Sequence, residues 1–223
     1  MKKITLLGAG MVGRAIARDL SAVHKVTVVD IAEKNLHKLA DNPNITTIKK
    51  DLSLKKNITD YIAKADLVIN AVPGFMGFKT LKTIIQSGKN VVDIAFFPED
   101  PFLLDDLAKT KNVTAVTDCG VAPGMSNMIL GYYHKKMKIN NFICLVGGLP
   151  VKRVWPYQYK APFSPSDVLE EYTRPARYKE NNCIITRPAP LIRNMLILLK
   201  SAPWNHSTAT DCALCSLQLI FPI

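Results

Sequence analysis

Six residues near the start of the chain, Gly8-Ala9-Gly10-Met11-Val12-Gly13, have the types and spacing of a turn built to hold an anion. In such a G-x-G-x-x-G turn the first glycine permits a tight reversal and the second lets the backbone approach a pyrophosphate. The third lets a helix pack closely on a strand, and the N-terminus of that helix presents N–H groups to negative charge. Seventeen residues beyond Gly13, at the end of the next apolar run, stands Asp30. A carboxylate there accepts hydrogen bonds from the hydroxyls of an adenosine ribose, which makes the pair of features a dinucleotide-binding pattern. A charged hydrogen bond of this kind contributes about 1.5–3 kcal/mol. A 2′-phosphate would instead meet like charge, and Ile31 and Ala32 stand where a phosphate-binding Arg would otherwise follow, so the expected cofactor is NAD rather than NADP. The competing reading is a glycine turn that only packs a helix on a strand.

Other residues fall at the ends of apolar runs, where the crevice of an open parallel sheet receives its ligand. Asn70-Ala71-Val72-Pro73-Gly74 combines small residues with a rigid turn, which suits a cofactor-side loop and also an ordinary one. Asp51 is placed either against an adenine or in a solvated turn. Asp93 and Asp118 both lie near the rim, and Asp118-Cys119-Gly120 joins a carboxylate, a thiol and a permissive backbone.

Short β-branched runs at 4–7, 26–29, 45–48, 67–71, 91–94 and 113–116 are apolar at nearly every position, as strands buried on both faces are. Between them Val12, Ile16, Leu20 and Val23, and later Ile58, Tyr61 and Ile62, recur at helical spacing. Six strands joined by crossovers read as an α/β, Rossmann-type doubly wound parallel sheet. This domain is expected over residues 1–124. After Pro123-Gly124 the texture changes to a helix-like stretch at 125–137 and a strand-like one at 142–146. A second, mixed α/β domain is therefore expected to begin at 125 and to run to 188. Residues 155–177, rich in Tyr, Pro and charge, read as loops around a site.

Composition narrows the function classes. With 48% hydrophobic and 21% charged residues, the 223-residue chain is neither disordered nor collagen-like. A net charge of +11 suits an anionic partner, but the lysines and arginines are scattered without a basic stripe, so no nucleic acid is expected. No apolar run reaches the ~20 residues of a membrane helix, so no membrane is expected either. Five cysteines without framework spacing point to a reducing compartment, with the cytoplasm as the default. Cys212 and Cys215 form a single C-x-x-C pair with no second pair nearby, and no metal is expected.

The segments GAGMVGRAIARDL, DLVINAVPGFMGF, VVDIAFFPED, VTDCGVAPGMSN and GGLPVKRVWPYQYKAPFSPSDVLEEYTRPARY together resemble the saccharopine dehydrogenase family, and within it the lysine 6-dehydrogenase type. The resemblance implies a Rossmann domain followed by a mixed α/β substrate domain, and oxidation of the amine-bearing carbon of lysine or a lysine derivative, with hydride passing to the nicotinamide. It implies a small amino-acid substrate and a homodimer. Carried over by position, Gly8, Gly10, Gly13 and Asp30 resemble the cofactor fingerprint. Ala71-Val72-Pro73 is similar to the cofactor-side loop, Asp118-Cys119-Gly120 to the segment beside the nicotinamide, and Tyr159, Lys160, Phe163 and Ser164 to the substrate pocket. The substrate ammonium must lose a proton before hydride leaves, and Asp118, Lys160, His134 and Tyr159 are the candidate acceptors. Lys160 or Arg174 is a candidate clamp for the amino-acid carboxylate, and Glu170-Glu171 for an ammonium.

From about Ala189 the resemblance stops. The genetic code allows codons for Leu191–Ile197 whose shifted frame reads DPEYVDF, and in that same frame a second family-like stretch, GTLEPFNSDGLRS. Residues 189–223 are accordingly expected to be an aberrant, frameshifted tail foreign to the fold. Dinucleotide binding should survive such a change and turnover be impaired, which leaves a non-catalytic NAD-binding or oligomerisation module as the alternative to an active dehydrogenase.

Overall fold

A computed structural model describes residues 1–140, 142–146, 155, 167, 169–170, 173–180, 183–187 and 217–220. The chain divides into two units, Met1–Gly124 and Met125–Ile223.

The first unit alternates strand and helix. β1 (Lys3–Leu7), α1 (Met11–Leu20), β2 (Lys25–Asp30), α2 (Glu33–His37) and β3 (Ile45–Lys49) are followed by α3 (Lys55–Ile62), β4 (Leu67–Asn70), α4 (Gly74–Gln86) and β5 (Val91–Asp93). A 3₁₀ turn (Pro101–Leu104), α5 (Asp105–Thr110) and β6 (Ala115–Val116) complete it. The six strands form one parallel sheet in the order β3-β2-β1-β4-β5-β6. The order reverses between β1 and β4, and an open sheet of this topology receives ligands at its carboxyl edge beside such a reversal.

Strand register explains the two cores. On one face Ile4, Leu6, Val26, Val28 and Ile45 pack with Ala9, Ala17, Leu36 and Leu39. On the other, Leu7, Val29 and Val68 pack with Ile58, Ile62, Leu81, Ile84 and Ile85. Each fully buried Leu, Ile or Val contributes roughly 1.5–3 kcal/mol. The second face changes character along the strands. The paired row Leu7-Val29-Ile48, near the carboxyl edge, is apolar, whereas Thr5-Thr27-Thr46, two residues earlier, lines an open groove of about 520 Å³ at the amino edge.

Two differences from the sequence reading have physical causes. The stripe expected from Val12, Ile16, Leu20 and Val23 is not the face α1 buries: Gly13 and Ala17 are buried, Ile16 and Leu20 are partly so, and Val12 and Val23 are exposed. Small residues bring the helix axis close to the sheet and so displace the larger ones to its flanks. The sixth strand is shorter than 113–116 because only Ala115 and Val116 pair with β5.

In the second unit the structure describes α6 (Met125–His134), β7 (Ile143–Val146), an antiparallel hairpin of β8 (Ala176–Glu180) and β9 (Cys183–Arg187), and β10 (Leu217–Ile220). Of the tail that the sequence sets apart, β10 is the described part, and it pairs antiparallel with β7. Among the described residues no helix is long and apolar enough to cross a membrane, and no group of three or more His, Cys, Asp or Glu could hold a metal. The Cys212/Cys215 pair lies outside the described residues.

Candidate functional site

The carboxyl edge of the sheet gathers the loops in which most of the sequence-derived site residues lie. Gly8 follows β1 with φ +102, and its N–H donates to the Val29 carbonyl at 2.9 Å, which ties the turn to β2. A Cβ at Gly8 would stand 2.4 Å from the Ala71 carbonyl oxygen, and one at Gly13 would stand 2.2 Å from the Gly8 carbonyl oxygen. Both positions exclude any side chain. Gly10 is different, because a Cβ there meets nothing within 4 Å. It leaves open space above the turn, the cradle a ligand with a bulky anionic group needs.

The helix behind the turn completes the cradle. Arg14 N–H donates to the Gly10 carbonyl at 3.1 Å to begin the helical ladder of α1, and no side chain caps the N-terminus that Met11 and Val12 open. Both residues are exposed. α4 likewise begins, at Pro73-Gly74, without a side-chain cap, directly after Ala71 and the buried Val72. The Ala71 N–H donates to the Leu7 carbonyl at 2.8 Å, which holds this loop against the glycine turn.

Asp30 ends β2 beside that turn. One carboxylate oxygen accepts from the Ala9 N–H at 2.5 Å and the other from the Ala32 N–H at 2.6 Å. An ionised carboxylate offers about four lone-pair sites, so two acceptor positions remain for ribose hydroxyls. Arg14, which the sequence reading passes over, braces the same region by donating to the Ala9 carbonyl at 2.9 Å and to Asn35 Oδ1 at 3.0 Å. Its signal was available in sequence only as the first residue after the glycine motif. Asp51 lies in an exposed turn where its Oδ1 accepts from the Ser53 N–H at 2.8 Å, and that bond holds its carboxyl below the usual range.

Past the sheet's reversal the rim carries Asp93 and Asp118. Asp93, at the end of β5, is 0% exposed. It accepts from Asn70 Nδ2 at 2.5 Å and from the Ala95 N–H at 2.7 Å, and burial, opposed by those bonds and reinforced by Asp118, pushes its carboxyl up to about 7. The Cys119 N–H donates to the Asp93 carbonyl at 3.0 Å. Asp118 is exposed with φ +56, in the left-handed region where a residue with a side chain is uncommon and marks a functional constraint or a turn. Gly124, with φ +127, closes the loop, since a Cβ there would stand 2.2 Å from the Gly120 carbonyl oxygen. The Cys119 thiol is pushed up by burial and by the two carboxylates, which favours the protonated thiol over a nucleophilic thiolate.

In the second unit Arg174 forms an ion pair with Glu170 one helical turn away. Tyr159, Lys160, Phe163, Ser164 and Glu171 lie outside the described residues, and His134 is exposed at the end of α6.

Comparison with known proteins adds to this geometry. Residues 4–116 match the family model described as saccharopine dehydrogenase NADP binding domain, and residues 120–209 match the saccharopine dehydrogenase C-terminal domain. The second match runs past position 189, where the resemblance read from the sequence ends. The chain is 29% identical over 177 residues to saccharopine dehydrogenase [NADP(+), L-glutamate-forming] of Pyricularia oryzae, covering 75% of this chain and 39% of that protein. It is 26% identical over 149 residues to alpha-aminoadipic semialdehyde synthase of Arabidopsis thaliana, covering 64% of this chain and 14% of that protein. Among solved structures it is similar to apo saccharopine dehydrogenase (L-Glu forming) from Saccharomyces cerevisiae, with TM-score 0.61 and 22% identity over 85% of this chain and 44% of that one. The chain thus spans less than half the length of each of these relatives.

Proposed function

The chain belongs to the saccharopine dehydrogenase family, and we propose that it is an NAD-dependent oxidoreductase acting on the amine-bearing carbon of lysine or a lysine derivative, whether a CH–NH donor such as saccharopine or the CH–NH2 of lysine itself. The observation that carries the reading is the glycine turn with open space above Gly10 and Asp30 fixed beside it. The residues fit a dinucleotide: Gly8, Gly10 and the N-terminus of α1 at Met11 and Val12 for the pyrophosphate, Asp30 for the ribose hydroxyls, Ala71-Val72-Pro73 and Gly120 for the remaining walls. When bound, the nicotinamide supplies the hydride acceptor. Asp30 favours NAD over NADP because its charge attracts hydroxyl donors and repels a 2′-phosphate.

The protein's own contribution is charge and position. Asp118, exposed on the loop after β6, is proposed as the base that would take the substrate's ammonium proton, leaving the free amine from which hydride loss and hydrolysis of the resulting imine would follow. Tyr159 and Lys160 are proposed as pocket residues that orient the amino acid. Cys119 serves as a neighbour of Asp118, its thiol protonated.

Calorimetric titration with NAD and NADP, followed by NADH formation with L-lysine and with saccharopine, tests the proposal. Binding of NAD at least about tenfold tighter than NADP, the equivalent of about 1.4 kcal/mol, together with NADH formation on either amine, is the expected result. Binding without turnover would leave a dinucleotide-binding module, and no binding of either cofactor would overturn the reading.

A further inference from the structure

Among the described residues Asp93 is the one ionisable side chain wholly shut off from solvent. An isolated buried carboxylate is costly unless paired with a cation, yet the partners of Asp93 are neutral: the Asn70 amide and the Ala95 N–H. Asn70 is itself fully buried, gives a second, longer bond to the Gly77 carbonyl of α4 at 3.3 Å, and keeps its Oδ1 without a partner. The described titratable groups that act on Asp93 or feel it are the Asp118 carboxylate and the Cys119 thiol, both on the loop after β6; β4 and α4 bring only the neutral groups named above. The acid sits under the half of the carboxyl edge that lies across the reversal from the glycine turn and Asp30.

We propose, building on the dinucleotide reading above, that Asp93 is a positioning residue that acts through charge: ionised, it sets a fixed negative charge beneath the nicotinamide half of the crevice and favours the oxidised, cationic ring and the substrate ammonium over their neutral counterparts. Its neutral form withdraws that preference. A dinucleotide held at its adenosine end by the turn and Asp30 would extend across the reversal toward β4, β5 and β6, which would bring its nicotinamide end to the part of the crevice above Asp93. The anchor of the Asp118–Cys119 loop on the Asp93 carbonyl keeps the second carboxylate in place whichever form Asp93 takes. Because burial raises the Asp93 carboxyl to about 7, the change of form falls within the working range of an ordinary enzyme.

The test is the affinity of the full chain for NAD⁺ and for NADH, measured by calorimetry at fixed ionic strength from roughly pH 6 to roughly pH 8.5. The preference for NAD⁺ over NADH is expected to rise about three- to tenfold as pH passes through about 7, the size of a charge–charge interaction screened by a partly hydrated site. Asp93→Asn keeps the shape but cannot ionise and should give a flat ratio. Asp118→Asn removes the like charge and should move the midpoint to lower pH, which a purely structural role for Asp93 would not do. A flat ratio in the unaltered chain with both cofactors bound overturns the proposal while leaving the cofactor reading intact, as does an undiminished rise in Asp93→Asn. Failure of both cofactors to bind overturns the cofactor reading itself and this proposal with it.

Discussion

The ends of β2 and β5 carry the same local device in two different settings. Asp30 and Asp93 each close a strand at the carboxyl edge, and each accepts from the N–H two residues on, Ala32 in one case and Ala95 in the other. Each spends its second oxygen on a neighbouring element, Ala9 of the glycine turn or Asn70 of β4. The chain geometry is nearly interchangeable, and what separates the two acids is solvent. Asp30 is half-buried at an open turn, whereas Asp93 is wholly covered and its carboxyl rises to about 7. One turn type thus yields an acid at an open turn that can grip a sugar and a covered acid whose charge comes and goes near neutrality.

The glycine turn is the support that keeps Asp30 at its post, and disturbing it is the severest way to break the comparison. Gly13→Val sets a side chain on the Gly8 carbonyl, where even a Cβ lies at 2.2 Å. Thermal melting should show a loss of more than about 3 kcal/mol, or no folded protein, because the obstructing atom is backbone and cannot swing aside. Gly10→Ala, with open space around it, should leave melting close to unchanged while weakening NAD binding.

Asp30→Ala comes next. It strands the Ala9 and Ala32 N–H groups as well as the ribose, so NAD affinity should fall at least about tenfold and stability by about 1–3 kcal/mol, read by calorimetry and urea melts. An unchanged affinity would place the sugar elsewhere.

Asp93→Asn sharpens the contrast through pH. Between the ordinary carboxyl value near 3.8 and about 7, the folded chain holds the Asp93 proton and the unfolded chain does not. Stability from this group is therefore present at low pH, declines as pH rises through that window, and levels off above it. The Asn variant should lose this decline, so that its melting temperature gains on the parent's from pH 4 upward. A parallel pair of stability curves would show that Asp93 does not titrate there.

The smallest expected effect is at Lys49, the register partner of Asp30 on β3. Its ammonium pairs with Glu33 at 2.7 Å on the exposed surface, which holds the Glu33 carboxyl below its usual range. Surface pairs of this kind are screened by water and salt, so Lys49→Ala should leave melting and NAD affinity within error at physiological ionic strength. A marked fall in affinity would bring Lys49 into the charge balance around Asp30.

Much of the first unit was legible in the chain itself. Six apolar runs at regular intervals, each followed by a turn and a helical pattern, leave few topologies open, and the glycine spacing with Asp30 locates the crevice among them. The face of α1 was not legible, because apolar periodicity favours Val12 and Val23, whereas the close contact is made by Gly13 and Ala17, whose smallness matters only once a sheet lies beneath them. Asp93 shows the same limit. In the sequence it is one of two acids near the rim, beside Asp118, and nothing in its spacing marks it as the one that is buried.

What the sequence determined by itself is the local conformation: where strands end, where the backbone needs glycine, and which acid follows which strand, since these depend on residues adjacent in the chain. The tertiary structure alone decided which of those acids loses its water. That loss requires Asn70, 23 residues away, and the strand and helix packed around it to close over the carboxyl at once, and burial by distant elements is not written in the spacing of neighbours.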